Sequence, residues 1–404
     1  MPPSHEGTLP RHTGQPATPW FEICAGLSAS LVAIGLSRFA YTPLIPALIG
    51  AHWFAASDVV YLGAANFAGY FAGALSARRL GARWSNRTML RLMMALATAS
   101  FAACAVPVSL LWYFAWRLVS GFAGAVVMVL VAQTVLPAVP PARRGLASGA
   151  IFMGIGAGIV ASATLVPLLL AAGLAATWLG LAALAALLTA LTWRAWPAYT
   201  HVAPPQAGGQ PMPPAVRLLY GAYALVAVGL LGAAVFLVDY VARGLGQGSG
   251  TGAVYWLLYG AGALGGPMLY GLAADRIGAG RALRLGLVLS GAAALLLAWR
   301  PAAPALAAAS VLLGAFTPGV VTLMIGRLHE LLPGDAHAQH AAWGHATTVF
   351  ALFQALAGYA FSYLFAYSGG RHHVIFLACA GAFGIALLLE ACSATLRRRG
   401  PQGS

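Results

Sequence analysis

Gly271-Leu272-Ala273-Ala274-Asp275-Arg276 closes one apolar run of the chain, and Gly73-Ala74-Leu75-Ser76-Ala77-Arg78 closes another, 271 − 73 = 198 residues earlier. That offset is about half of the 404 residues, as an internal duplication would give. Outward from the two copies lie further apolar runs, each judged against the about 20 helical residues needed to cross ~30 Å of hydrocarbon. In the first half they cover residues 23–49, 59–77, 89–107, 110–136, 146–170 and 175–196. In the second they cover residues 216–241, 254–274, 283–299, 305–326, 341–366 and 374–396. The expected fold is an all-α membrane protein with 12 transmembrane helices in two pseudo-symmetric six-helix halves, residues 20–196 and 215–396. Residues 197–214, rich in Pro, Gly and Gln, read as a cytoplasmic linker between them. Residues 1–19 lack an apolar core and read as a disordered cytoplasmic tail rather than a cleaved signal, and residues 397–404 as a second short tail.

Composition agrees, with 60% hydrophobic against 7% charged residues. All 22 basic residues are arginine, and against eight acids they give a net charge of +14. Without lysine there is no Walker A loop and no Schiff-base chemistry, so neither ATP hydrolysis nor pyridoxal catalysis is open to the chain. The arginines are spread through short loops, which argues against a nucleic-acid partner. With the amino terminus inside, arginines 11, 78, 79, 83, 87, 91, 143, 144, 194, 217, 276, 281, 284, 327, 397, 398 and 399 fall on the cytoplasmic side. Only Arg243, Arg300 and Arg371 fall outside, a strong positive-inside bias that places both termini in the cytoplasm. Cys24, Cys104, Cys379 and Cys392 show no zinc spacing and read as small core packers. His329, His337, His340 and His345 cluster before the eleventh run, but His329-Glu330 lacks the second histidine of HExxH. The sequence calls for no metal and no cofactor.

Gly271 to Arg281, reading GLAADRIGAGR, resembles the loop signature of the major facilitator superfamily. The resemblance implies that Gly271, Asp275, Arg276 and Arg281 latch a cytoplasmic gate. Ala77 stands where the first-half copy of that signature usually has its acid, which makes the latch lopsided. The stretch 35–46, reading GLSRFAYTPLIP, and the stretch 66–75, reading NFAGYFAGAL, are similar to the YbfB/YjiJ-type branch. Trp116-Arg117-Leu118-Val119-Ser120-Gly121 resembles the fourth-helix arginine motif that the superfamily ties to proton coupling. The fifth run carries Gly149, Gly154, Gly156 and Gly158 without the Gly-Pro pair of the antiporter signature, so direction stays open. The superfamily architecture implied here is a major facilitator fold with the first, fourth, seventh and tenth helices around a central cavity.

Charges within hydrocarbon are costly unless paired or facing water, which makes each one a candidate for function. Arg38 lies about 11 residues, or ~16 Å, from the outer end of its helix, and Arg117 at a similar depth in the fourth. If both face the cavity they attract an anion, whose carboxylate or phosphate a guanidinium fork fits. If they pair with helix-end carbonyls they are structural, and both readings are open. Asp239 aligns with Tyr41 at the repeat offset and is either the proton site answering these arginines or an ordinary i+4 pair with Arg243. Tyr41, three residues after Arg38, is expected on nearly the same face and able to orient a ligand. Asn66 and Tyr70 share a face of the second helix, and Thr347 and Gln354 a stripe of the eleventh. Glu22 and Glu390 sit near cytoplasmic helix ends and read as snorkelling or capping groups.

The expected function is secondary active transport of a small molecule across the bacterial inner membrane by alternating access, proton-coupled, with an organic anion as substrate class. Efflux of hydrophobic compounds is the alternative, since Trp, Tyr and Met are plentiful. A membrane-embedded enzyme would need a dense set of His, Asp and Ser at one depth, and a receptor a long soluble extension, and the sequence offers neither. The expected partners are the substrate, the coupling proton and the lipid bilayer, with the chain a monomer.

Overall fold

The computed structural model describes residues 19–140, 144–197, 212–299 and 302–399. The expectations for the 1–19 tail, the 197–214 linker and the 397–404 tail lie largely outside these residues. Among the described residues no strand occurs, and the helical stretches are α1 (Trp20–Gly50), α2 (Ala56–Arg83), α3 (Asn86–Ala103), α4 (Leu110–Val135), α5 (Arg144–Leu170) and α6 (Leu174–Thr192), followed by α7 (Pro214–Gly244), α8 (Gly248–Ile277), α9 (Ala279–Ala298), α10 (Ala303–Leu331), α11 (Ala336–Tyr367) and α12 (His372–Arg399). Eleven of them are long and apolar enough to cross a membrane. The exception is α3, whose 18 residues span ~27 Å and begin with Arg87 and Arg91. Several helices outrun the apolar runs: α2 continues to Arg83 and α8 to Ile277, because a helix leaving hydrocarbon keeps its backbone bonded by continuing.

α1 is not one regular helix. It is α-helical over Trp20–Ser30, π-helical over Leu31–Leu36, and α-helical again through Ser37–Phe39 and Tyr41–Gly50, with a turn at Ala40. The cause is local. Pro43 has no N–H for the Phe39 carbonyl and Pro46 none for that of Thr42, while the Ser37 hydroxyl donates to the Val32 carbonyl at 3.0 Å. α7 loosens in the same way at its end, where Tyr240–Gly244 is π-helical.

The most extensive packing joins α8 to α10 and α2 to α4. Other broad contacts join α5 to α8 and α2 to α11. In both leading pairs glycine lets backbones touch: a Cβ on Gly121 would overlap the Asn66 carbonyl, and one on Gly314 the Tyr259 carbonyl. Large apolar side chains such as Leu111, Leu168, Met268 and Leu388 point outward, as lipid contact requires. Cys104 and Cys379 are buried packers, but Cys24 and Cys392 are exposed, which corrects the expectation for those two.

Gly314→Val is expected to cost at least the ~1–3 kcal/mol of core overpacking, because the obstacle is backbone. Gly381 has open space around it, so Gly381→Val should leave stability nearly unchanged. Thermal unfolding of the two purified variants in one detergent checks the contrast.

Candidate functional site

The break in α1 carries Arg38 into the middle of the bundle. Its Nη1 donates to Oε1 of Gln354 on α11 at 2.8 Å. The guanidinium carbon lies 4.2 Å from the Tyr70 ring centroid and 5.0 Å from that of Phe67, both on α2. Nη2 is buried and has no hydrogen-bond partner among the described residues. Arg38, Tyr70 and Gln354 border a cavity of about 70 Å³ among α1, α2, α4, α5, α7, α10 and α11, in which Arg38 is the one charged lining residue among the described residues. Its far wall is aromatic: Tyr223 on α7 lies 4.7 Å from Phe350 and 6.3 Å from Trp343, centroid to centroid. Met128 and Trp343 also line a second chamber of about 560 Å³, which leads past Gln133, Ser148 and His329 to the helix ends beside the arginine-rich loops. Towards the opposite face, the Thr42 hydroxyl donates to the Ala234 carbonyl at 2.5 Å and packs α1 on α7.

Of the residues expected at a substrate site, Arg38, Tyr70, Thr347 and Gln354 line the cavity, whereas Tyr41 and Asn66 do not. Tyr41 turns away from the cavity, donates to the Val59 carbonyl at 2.6 Å and lays its ring 4.2 Å from the Arg117 guanidinium. Asn66 donates to the Ser120 hydroxyl at 2.8 Å and to the Arg117 carbonyl at 3.4 Å, which ties α2 to α4. Arg117 itself does not line the cavity. Buried at 3% exposure, it donates through Nη1 to the Ser37 carbonyl at 2.8 Å, so only one of the two arginines is left for a ligand.

A model of the family described as "Uncharacterised MFS-type transporter YbfB" matches residues 30–390. The chain belongs to this family. It is therefore an MFS-type, multi-pass membrane transporter, as the residues around Arg38 and Asp275 led the sequence to suggest. The crystal structure of a D-xylose-proton symporter shares the fold, with a TM-score of 0.68 over 92% of this chain and 97% of that one at 14% identity. No curated protein matches the chain in sequence.

Two further carboxylates of the transporter are buried, one towards each end of the bundle. Asp239, 1% exposed, pairs with Arg243 through both oxygens and meets Nε2 of His372 on α12 at 2.8 Å. The i+4 pair is thus present, and Arg38 and Arg117 are not its partners. His372 lies 133 residues away and shares no motif with Asp239, so only helix packing reveals it. Glu390 is no cap: fully buried on α12, it accepts from Nη1 of Arg284 at 2.7 Å and lies 2.9 Å from Nε of Arg327. Arg327 also donates to Glu330 at 2.8 Å, and Glu330 accepts from the Ala279 N–H at 2.7 Å. Of the expected gating set, Gly271 lies in ordinary contact range of the Thr322 methyl, while Asp275, Arg276 and Arg281 are exposed and form no ion pair among the described residues.

Removing one partner of a buried ion pair leaves the other charge stranded, so Glu390→Ala should cost about 3–5 kcal/mol. Tyr41→Phe, which deletes one neutral hydrogen bond outside the cavity, should cost only ~1 kcal/mol. Thermal melts of both variants against the parent chain test the ordering.

Proposed function

We propose that this MFS-type transporter is a proton-coupled secondary carrier of a small organic anion. The observation that carries this reading is the buried, unpartnered Nη2 of Arg38 in a cavity with no other charged lining residue. A guanidinium so placed is stable in water or against an anion and costly otherwise. The cavity is buried among helices from both ends of the sequence, where the parallel-repeat carriers hold their substrates. In this reading α3 is the remaining span, giving two six-helix halves that rock about the cavity, and the arginine-rich loops and both termini face the cytoplasm across a bacterial inner membrane.

For the coupling proton we favour Asp239 over Glu390. Guanidinium groups hold their protons permanently, so Glu390 sits between two fixed cations. Asp239 shares its second oxygen with the His372 ring, whose Nε2 can donate or accept at that oxygen, in place of a second fixed cation. Arg117, braced on the Ser37 carbonyl beside the break in α1, would pass on the change in shape rather than the proton. The stretch Gly271–Arg281, where α8 ends and α9 begins, would engage when the ≈560 Å³ chamber closes. Efflux of hydrophobic compounds is supported by the aromatic wall, but it leaves Nη2 of Arg38 without a task.

The test uses proteoliposomes enclosing a pH-sensitive dye, with signals read above protein-free liposomes. Inward gradients of organic anions, including impermeant sulfonates, should move protons in the parent and not in Arg38→Ala. Asp239→Asn should keep anion counterflow while proton movement falls by at least about tenfold. Transport of cationic or neutral dyes that survives Arg38→Ala, with no response to any anion, would favour the efflux reading instead.

A further inference from the structure

Resting on the anion reading above, we infer that the cavity around Arg38 is built for an aromatic monocarboxylate. The carboxylate sits on Nη2 of Arg38 and the amide N–H of Gln354, and the ring lies against Tyr223, Phe350 and Trp343.

Charge fixes the valence. Arg38 is the cavity's one charged lining residue, and the other buried arginine of this half, Arg117, is spent on the Ser37 carbonyl and the Tyr41 ring. A dianion would bring a second negative charge against aromatic and aliphatic walls with no cation to answer it, an uncompensated buried charge. A cation would meet Arg38 and no carboxylate.

Hydrogen-bond inventory fixes the head group. Nη1 of Arg38 is occupied by Gln354 and the guanidinium carbon lies over the Tyr70 and Phe67 rings, which leaves Nη2 for the ligand. Because Gln354 accepts with Oε1, its Nε2 has two donor hydrogens, and no described residue accepts them. Two donors on adjacent side chains suit two carboxylate oxygens. The Thr347 hydroxyl donates to the Trp343 carbonyl at 2.9 Å, and that of Thr317 donates to the Leu313 carbonyl at 2.9 Å and meets the Tyr259 hydroxyl at 2.5 Å, so neither threonine is left for the carboxylate. The tilted pair Tyr223 and Phe350, with Trp343 beside it, offers ring contact instead. At about 70 Å³ the cavity takes the carboxylate end, and the ring extends past Trp343 towards the ≈560 Å³ chamber, which also leaves room for substituents.

Binding to the purified full-length transporter is measured by calorimetry and by thermal shift, with benzoate, phthalate, benzamide and acetate as probes. Benzoate should bind, with phthalate, benzamide and acetate each weaker by at least about tenfold, ~1.4 kcal/mol. Arg38→Gln should weaken benzoate by about 10- to 100-fold, the worth of a charged hydrogen bond. Phe350→Leu, which keeps the charge site, should weaken benzoate several-fold while leaving the weak binding of acetate unchanged. Tighter binding of phthalate would overturn the single charge and leave the anion carrier standing. Equal binding of acetate would overturn the aromatic requirement alone. Benzamide binding as well as benzoate, unaffected by Arg38→Gln, would sink the anion reading with it. No saturable binding of benzoate overturns the inference even if the proteoliposome assay finds another anion.

Discussion

A guanidinium buried in hydrocarbon must be met by acceptors or by π faces, and the centre of this transporter is organised around two of them. One structural irregularity serves both. The π turn at Leu31–Leu36 and the break at Ala40 interrupt α1 on either side of Arg38. Between them Arg38 enters the cavity and meets Gln354, Tyr70 and Phe67. Beside it, the Ser37 carbonyl and the Tyr41 ring receive Arg117. A regular helix would put Arg38 and Tyr41 on nearly the same face, and Arg117 would lose one of its two supports. The cost of breaking α1 is therefore offset by the groups that the break exposes.

The two ends of the sequence handle charge differently towards the arginine-rich face. In the second half Glu390 and Glu330 knit Arg284 and Arg327 together, joining α9, α10 and α12. In the first half the described arginines have no acid partner: Arg91 donates to the Trp193 carbonyl at 2.7 Å and stacks on its ring, and Arg79, Arg83 and Arg194 are exposed. Buried ion pairs fix relative helix positions because any displacement strands a charge, whereas glycine contacts such as Gly121 on Asn66 tolerate sliding along a ridge. The absence of an acid at Ala77 belongs to the same asymmetry.

What could be read along the chain is what depends on length and depth. Every backbone group inside a membrane must be bonded within its own helix, so apolar run length locates helices, and α3 is the marginal case because two arginines shorten its apolar part. Depth also comes from counting, which is why Arg38 and Arg117 could be placed at a similar level. Rotation about a helix axis cannot be counted once the helix is irregular, and Tyr41 failed on that point. Partnerships across the fold are equally hidden. His372 and Glu390 each meet charges more than a hundred residues away, and neither lies in a pattern that announces a partner.

The proposed coupling gains weight from where Asp239 sits relative to the contact that must part for the cavity to open the other way. Opening towards that face would require the Thr42 end of α1 to leave α7, which would break the bond from Thr42 to the Ala234 carbonyl. Asp239 follows Ala234 by five residues, ~7.5 Å along the same helix, just before the π turn of Tyr240–Gly244. Protonating Asp239 would weaken its hold on Arg243, and Arg243 belongs to that turn. The turn would then be free to rewind, shifting the end of α7 against α1 and α12 together. A proton arriving beside His372 would thus act on the same short segment whose position decides whether Thr42 keeps its acceptor. A carboxylate in the cavity itself would compete with the substrate for Arg38, and displacing the proton site along α7 removes that competition.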